Sequence, residues 1–252
     1  MQMGPIGAVH VHSTYSHDGR DTLPELHAFA TAKGLGFLGL TDHAEDFDAA
    51  VFDRFVAECA LVSATGPRLI PGLEFRFTGR KGLHLLALGL TRWIEPETVE
   101  DFIVMTRGVT GLTIAAHPVL PNYQYPPVVL EGIDAIEVWN ASYNTRYLPD
   151  PRAIQLLQRV RQTRPEVVAV AGLDQHDARN DRETRVQLLE GGDPLATIRA
   201  GQFRNIGRTM SFGASGELGA VGGAALWGAR LLFDGVERIQ DRAARWITAR
   251  RL

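Results

Sequence analysis

Residues 6–43 read IGAVHVHSTYSHDGRDTLPELHAFATAKGLGFLGLTDH: an apolar run closing on two histidines, a segment of helical spacing, and a second apolar run closing on Asp42 and His43. The first run reads as a buried strand, and its period of two sets His10 and His12 on one face. LPELHAFATAKG (23–34) has Pro24 near its start and Gly34 after its end, which is the cap chemistry of a helix. Strand, helix, strand in this order is the unit of a parallel sheet covered on both faces.

Outward from this unit the alternation continues. RLIPGLEF (68–75), HLLALGL (84–90), LTIAAHP (112–118), IDAIEVWN (133–140) and VVAVAGLDQH (167–176) are strand-like. FDRFVAECALVSA (52–64), PETVEDFIVMTRG (96–108) and PRAIQLLQRVRQT (151–163) have helical spacing. A barrel and a doubly wound sheet both satisfy this pattern. Nearly every run ends in His, Asp or Glu, where parallel barrels build their active sites. No glycine-rich phosphate turn follows the first strand, as a doubly wound nucleotide-binding sheet would have. An α/β barrel in one domain over 1–252 is therefore expected. The glycine-rich segment 207–223 precedes a C-terminal amphipathic helix with apolar positions Leu232, Val236, Ile239, Ala243 and Trp246. That helix is expected to pack on the barrel or to form a contact between copies of the chain.

Composition narrows the function classes. With 45% hydrophobic and 22% charged residues, the 252-residue chain can bury a large core. A net charge of -3 gives no basic footprint for duplex nucleic acid. A single cysteine, Cys59, excludes an internal disulfide and a thiolate-rich zinc site, and its apolar surroundings read as packing. No run approaches the roughly 18 apolar residues of a membrane span, and no leader-like start is seen, so a cytoplasmic protein with no membrane contact is expected.

Seven of the eight histidines fall at strand ends or in the loops after them; only His27 lies on a predicted helix, where it reads as structural. Together with Asp18 of SHDG, Glu74 of GLEF and Asp174 of GLDQHD they form the pattern of a metal cluster built from imidazole and carboxylate. Such ligands suit divalent Zn, Mn or Fe.

VHVHSTYSHDG, LTDHAE, GLEF, HLLALG, AHP and GLDQHD, in this order over about residues 8–180, resemble the successive motifs of the PHP (polymerase and histidinol phosphatase) family. The resemblance implies a distorted (β/α)7 TIM-like barrel holding two or three divalent metals. Carried over by motif, the ligands are His10, His12, Asp18, His43, Glu74, His84, His117, Asp174 and His176. By the same resemblance, His10, His12, Glu74 and Asp174 take one metal, Glu74, His84 and His117 a second, and Asp18, His43 and His176 a third.

This reading predicts a phosphoesterase acting through a metal-activated bridging hydroxide on a small phosphorylated substrate, with nucleotides and short oligonucleotides among the candidates. Three divalent ions outweigh the three carboxylates, which favours an anionic substrate. Arg20, Arg76 and Arg179 are candidates for gripping a phosphate, His17 for protonating the leaving group, and Asp42 for orienting His43. Trp139, Asn140, Tyr143 and Asn144 are candidates for stacking on, or hydrogen-bonding to, a substrate ring. Two other classes fit less well. An amidohydrolase-like enzyme acting on an amide, carbamate or lactone commonly uses a bridging lysine, yet Lys33 and Lys81, the only lysines, end no middle strand. A non-catalytic, metal-stabilised scaffold beside a polymerase would not need so complete a ligand set.

Overall fold

The computed structural model describes residues 3–77, 82–143, 147–219 and 222–232. Lys81, Asn144 and the helical pattern beyond residue 232 lie outside the described residues. Contacts group the chain into two compact units, Met1–Gly216 and Glu217–Leu252. In the second unit residues 222–232 are helical. Among the described residues no helix is long and apolar enough to cross a membrane.

The first unit is a mixed α/β structure with two six-stranded sheets. Its strands are β1 (Ile6–Val11), β2 (Phe37–Leu40), β3 (Asp42–His43), β4 (Arg68–Ile70), β5 (Gly72–Arg76), β6 (His84–Leu88), β7 (Leu112–Ala115), β8 (Ala135–Asn140), β9 (Val168–Gly172), β10 (Arg185–Leu188), β11 (Phe203–Ile206) and β12 (Ser211–Gly213). Its helices are α1 (Leu23–Ala32), α2 (Ala49–Val62), α3 (Val99–Met105), α4 (Pro127–Gly132), α5 (Pro151–Arg161) and α6 (Pro194–Arg199). One sheet runs β12-β11-β10-β1-β2-β4 and the other β3-β5-β6-β7-β8-β9.

Local chemistry accounts for the opening unit. Thr22 and Glu25 close a reciprocal capping box on α1. The helix ends at Gly34, whose φ of +66° allows Leu35 N–H to reach Ala30 O and Gly34 N–H to reach Thr31 O. The chain then re-enters as β2, parallel to β1.

One expectation needs correction. The sheets are mixed rather than parallel: β5, β6 and β7 are successively antiparallel, as are β1, β10, β11 and β12. Only residues 77–83 join β5 to β6, too few for the crossover that parallel neighbours require. The three short strands after residue 184 give little sequence signal, because polar side chains interrupt their apolar pattern. Among the described residues the ladders form two sheets, and a closed barrel is not shown. The chain passes between the sheets at Thr41, between β2 and β3, and at Pro71, between β4 and β5. Pro71 has no N–H to continue a ladder. At the opposite side β1 meets the segment that follows β9, through Leu173 N–H to Val9 O, Gln175 N–H to His10 O and His12 N–H to Gln175 O, with Val11 and Gln175 paired as a parallel bridge.

The shared interior is layered. Val9, Phe37, Ile70, Leu86, Leu88, Leu112, Ile114, Ala135, Val168 and Val170 belong to one buried apolar cluster. On the same strands, His84 continues the line of Leu86 and Leu88, and Glu137 continues that of Ala135, so polar side chains are aligned with the apolar layer.

Candidate metal centre

The donors are delivered by departures from regular strand geometry. β1 carries a bulge between Val9 and Val11, and His10, at its apex, has φ +64°. His12 lies just beyond the strand end. The convergence of the two imidazoles is therefore set by the bulge rather than by simple alternation. His117 and Asp174 also have positive φ, +25° and +49°. Such conformations cost non-glycine residues on the order of 1–3 kcal/mol each and cluster where surrounding contacts enforce them. Because β6 runs antiparallel to its neighbours, its first residue, His84, and not its last, reaches the site.

Glu74 occupies the middle. Its Oε1 lies 2.8 Å from His84 Nδ1 and 2.9 Å from His117 Nε2. Its Oε2 lies 3.3 Å from His43 Nδ1, 3.5 Å from His12 Nε2 and 3.7 Å from His10 Nε2. Asp174 Oδ1 is 3.5 Å from both His10 Nε2 and His12 Nε2. Asp18 Oδ2 is 3.2 Å from His43 Nε2 and from His176 Nε2. Potential ligand atoms thus gather in three overlapping groups: His12, Asp18, His43 and His176; His10, His12 and Asp174; and His10, Glu74 and His117.

These residues fit divalent ions. His10 Nε2, His12 Nε2 and His43 Nδ1 are buried without a hydrogen-bond partner, in a protein interior where such atoms are rare. They approach carboxylate oxygens at 3.3–3.7 Å without making hydrogen bonds. These distances suit two ligands on one ion, since donors each about 2.1 Å from a metal sit about 3.0–3.4 Å apart at octahedral to tetrahedral angles. The electrostatics agree. Burial pushes the Glu74 and Asp174 carboxyls up, but the surrounding imidazoles outweigh it and hold both below the usual range. Burial pushes His10 and His117 down, while Asp174, Glu137 and Glu74 outweigh it for His10, and Glu74 does so for His117, so both are raised. His176 is lowered, by burial first and then by the charge of His12.

The other predicted residues separate into groups. His17 is exposed, with Nδ1 2.8 Å from Asp46 Oδ2 and its ring 5.4 Å from that of His43; the bond to Asp46 raises its pKa. Asp42 is buried and accepts from the backbone and hydroxyls of Ser13 and Ser16, while Ser16 Oγ accepts from His43 N–H. Asp42 thus holds the Ser13–Ser16 loop, and through the Ser16 hydroxyl that loop meets the His43 backbone. Arg20 lines a polar cavity of about 560 Å³ together with Asp18, Asp174, His176, Asn180 and Arg182. Arg76 faces Glu45 at 3.5 Å, and Arg179 is held by Asp177 on the surface. Asn140 is fully buried: its Nδ2 donates to Glu137 Oε2 and Asp174 Oδ2, and its Oδ1 accepts from the Ser142 and Tyr143 amides. Trp139 is buried against Phe212. Tyr143 is half exposed, 4.8 Å from the His117 ring. His27 bonds Thr65 O, Cys59 is buried, and Lys33 pairs with Asp181 at 3.1 Å.

Sequence reasoning missed Glu137 and Arg182. Glu137 is a carboxylate inside an apolar strand, an isolated signal overshadowed by the histidine motifs. Arg182 sits in a stretch without pattern and reaches the cavity only through the fold, where its Nη1 donates to Ala141 O at 2.5 Å.

The family model for the PHP domain matches residues 8–130. The chain carries a PHP domain. The match includes His10 through His117, whereas Glu137, Asp174 and His176 lie beyond it. No curated protein matches the chain. Among solved structures, the PHP chain is similar to PsfC from Pseudomonas syringae PB-5123, with TM-score 0.57 and 16% identity over 82% of this chain and 93% of that one. It is also similar to a Bifidobacterium adolescentis protein named provisionally as a metal-dependent phosphoesterase, with TM-score 0.50 and 15% identity over 68% and 88%. A third is an amidohydrolase from Chromobacterium violaceum solved with bound sulfate and no metal, with TM-score 0.50 and 16% identity over 75% and 92%. At these identities the likeness establishes a shared fold. The PHP match and the gathered donors together support a metal-dependent hydrolase.

Proposed function

We propose that this chain hydrolyses a phosphate ester at a centre of two or three divalent metals, held by His10, His12, Asp18, His43, Glu74, His84, His117, Asp174 and His176. The observation that carries the reading is the set of buried, unpartnered imidazole nitrogens converging on Glu74 and Asp174, beside a cavity that bears two arginines. When bound, the metals would activate a water nucleophile and neutralise charge that develops on the phosphoryl oxygens.

The chain's own groups supply the rest. Glu74 spans the groups of donors, because each of its oxygens faces different imidazoles. Arg20 and Arg182 line the cavity next to Asp18 and His176, where they can grip non-reacting phosphate oxygens by charge-assisted hydrogen bonds. Arg76 and Arg179 are paired with acids, and Arg179 is the less available of the two. His17, bonded to Asp46 and open to solvent, would pass a proton to the leaving oxygen in this reading. Asn140 serves the site from beneath, by holding Asp174, rather than by touching substrate. The sulfate in the Chromobacterium structure has the shape and charge of a phosphate group, in keeping with an anionic substrate.

The deciding experiment loads metal-free protein separately with Zn, Mn and Fe(II), counts bound metal by elemental analysis, and screens phosphomonoesters and phosphodiesters beside amides, carbamates and lactones. Turnover of a phosphate ester is expected. Turnover confined to carbon-centred substrates, or metal-loaded protein inert to every class, refutes the proposal.

A further inference from the structure

Glu137 is a buried carboxylate that takes three hydrogen bonds, none of them from Arg or Lys among the described residues. It stands on β8 at a register shift, next to the bulged position, which aims it between two neighbouring elements. Oε1 takes His10 Nδ1 at 2.9 Å; Oε2 takes the His117 backbone N–H at 2.7 Å and Asn140 Nδ2 at 2.9 Å. The residues it grips on either side, His10 and His117, are both held at positive φ. On β9 Glu137 pairs with Val170, and its carboxylate reaches along to Gly172, where any Cβ would collide with Glu137 Oε1 and crowd His10 Cβ at 3.1 Å. The space that the carboxylate needs is thus left open by a missing side chain.

An ionised carboxylate only accepts, so His10 Nδ1 must be the donor in this pair. In the neutral ring His10 Nε2 then carries a lone pair. That lone pair is buried, has no partner, and faces Asp174 Oδ1 at 3.5 Å and Glu74 Oε2 at 3.7 Å. Two carboxylate oxygens and a bare nitrogen turned towards one point repel one another unless a cation joins them.

We propose that Glu137 is a positioning residue for the metal centre: it fixes His10 as the Nδ1–H tautomer with Nε2 free to ligate, and it pins His117 in the strained backbone conformation that turns its ring towards Glu74. This rests on the metal-binding part of the function proposed above and is independent of the substrate. Hydrogen bonds of this kind to ligand histidines raise metal affinity by about 10–100-fold.

Glu137→Gln tests the idea at constant shape. The amide has one accepting atom where the carboxylate has two. Its NH2 therefore either meets His10 Nδ1, forcing the proton onto Nε2 and blocking ligation, or opposes the His117 N–H. The expected result is a Zn affinity about 10–100-fold weaker than that of the wild type in a chelator competition. In addition, the loss should shrink when the same change is made on a His10→Ala background, because the two residues act as a unit. Should Glu137→Gln fail to fold, the wild type alone remains decisive: long-range 1H–15N spectra of the Zn-loaded protein should show His10 protonated at Nδ1. Protonation at Nε2, an unchanged affinity in Glu137→Gln, or equal losses on the two backgrounds would each overturn the proposal. A wild type that binds Zn but cleaves no phosphate ester would refute the substrate reading and leave this one standing.

Discussion

Asp42, expected to orient His43, is the keystone of the loop between β1 and α1, and it reaches the His43 backbone through the Ser16 hydroxyl. Oδ1 accepts from Ser13 N–H at 2.7 Å, Ser16 N–H at 3.1 Å and Ser16 Oγ at 2.9 Å, and both oxygens lie 3.0 Å from Ser13 Oγ. Asp42→Ala removes all of these. Ser16 N–H keeps the Ser13 carbonyl at 3.0 Å, so the buried donor left without its partner is Ser13 N–H. An orphaned buried N–H costs about 1–3 kcal/mol, and two hydroxyls losing a charged acceptor add about 1 kcal/mol each. The expected loss is therefore about 3–5 kcal/mol, a large share of the roughly 5–15 kcal/mol that holds a domain folded. Asp42→Asn keeps an oxygen at the Oδ1 position for both amides and offers Ser13 Oγ a donor in place of an acceptor. It also relieves the burial that pushes the Asp42 carboxyl up despite its hydrogen bonds and the charge of His12. Its cost is expected to be about 1 kcal/mol or less. Urea unfolding of chelator-treated protein measures both variants without a contribution from metal binding. Equal losses in the two variants, or an alanine variant within about 0.5 kcal/mol of wild type, would falsify the reasoning.

Asp174→Ala and His12→Ala should retain the fold by circular dichroism but lose metal and activity, and chelation of the wild type should abolish activity until divalent metal is returned. Alanine at Arg20 or Arg182 should raise KM for a phosphorylated substrate about 10–100-fold, from the loss of a hydrogen bond to a charged group, whereas Arg179→Ala should change little; steady-state kinetics distinguish them. Asp181 is pushed up by burial, but its bond to Arg185 at 2.6 Å, with Lys33 at 3.1 Å, outweighs this and lowers its pKa. Its contribution to stability is thus present above the unfolded carboxyl pKa of about 3.9 and is lost as pH falls through the lower folded value. The stability gap between wild type and Asp181→Asn should close on acidification below about pH 4, and a gap that widens there would contradict the assignment.

Sequence by itself determined which chemical groups this protein has to offer and roughly where. Histidines and acids that close apolar runs are conspicuous because a buried strand otherwise excludes them. The gathering of His10, His12, Asp18, His43, Glu74, His84, His117, Asp174 and His176 follows from strands that end, or for His84 begin, at one rim and from the loops beside them. Periodicity also located β1, β2 and α1, where local capping and alternation agree with the final packing.

Tertiary structure alone decided the rest, because the interactions concerned join residues far apart in the chain. Strand direction was one such matter: an apolar run has the same pattern read either way, so nothing local marks β6 as antiparallel or moves its ligand to the first residue, His84. The division into two mixed sheets depends on Thr41 and Pro71 passing the chain from one to the other. The proposed roles of Asp42, Asn140 and Glu137 were likewise set by partners brought in from other elements, Ser13 and Ser16 as donors to the first, Asp174 as acceptor from the second, and His10 and His117 as donors to the third. A side chain's type limits what it can bond to; only the fold chooses the partner, and for these three residues the partner determines the function.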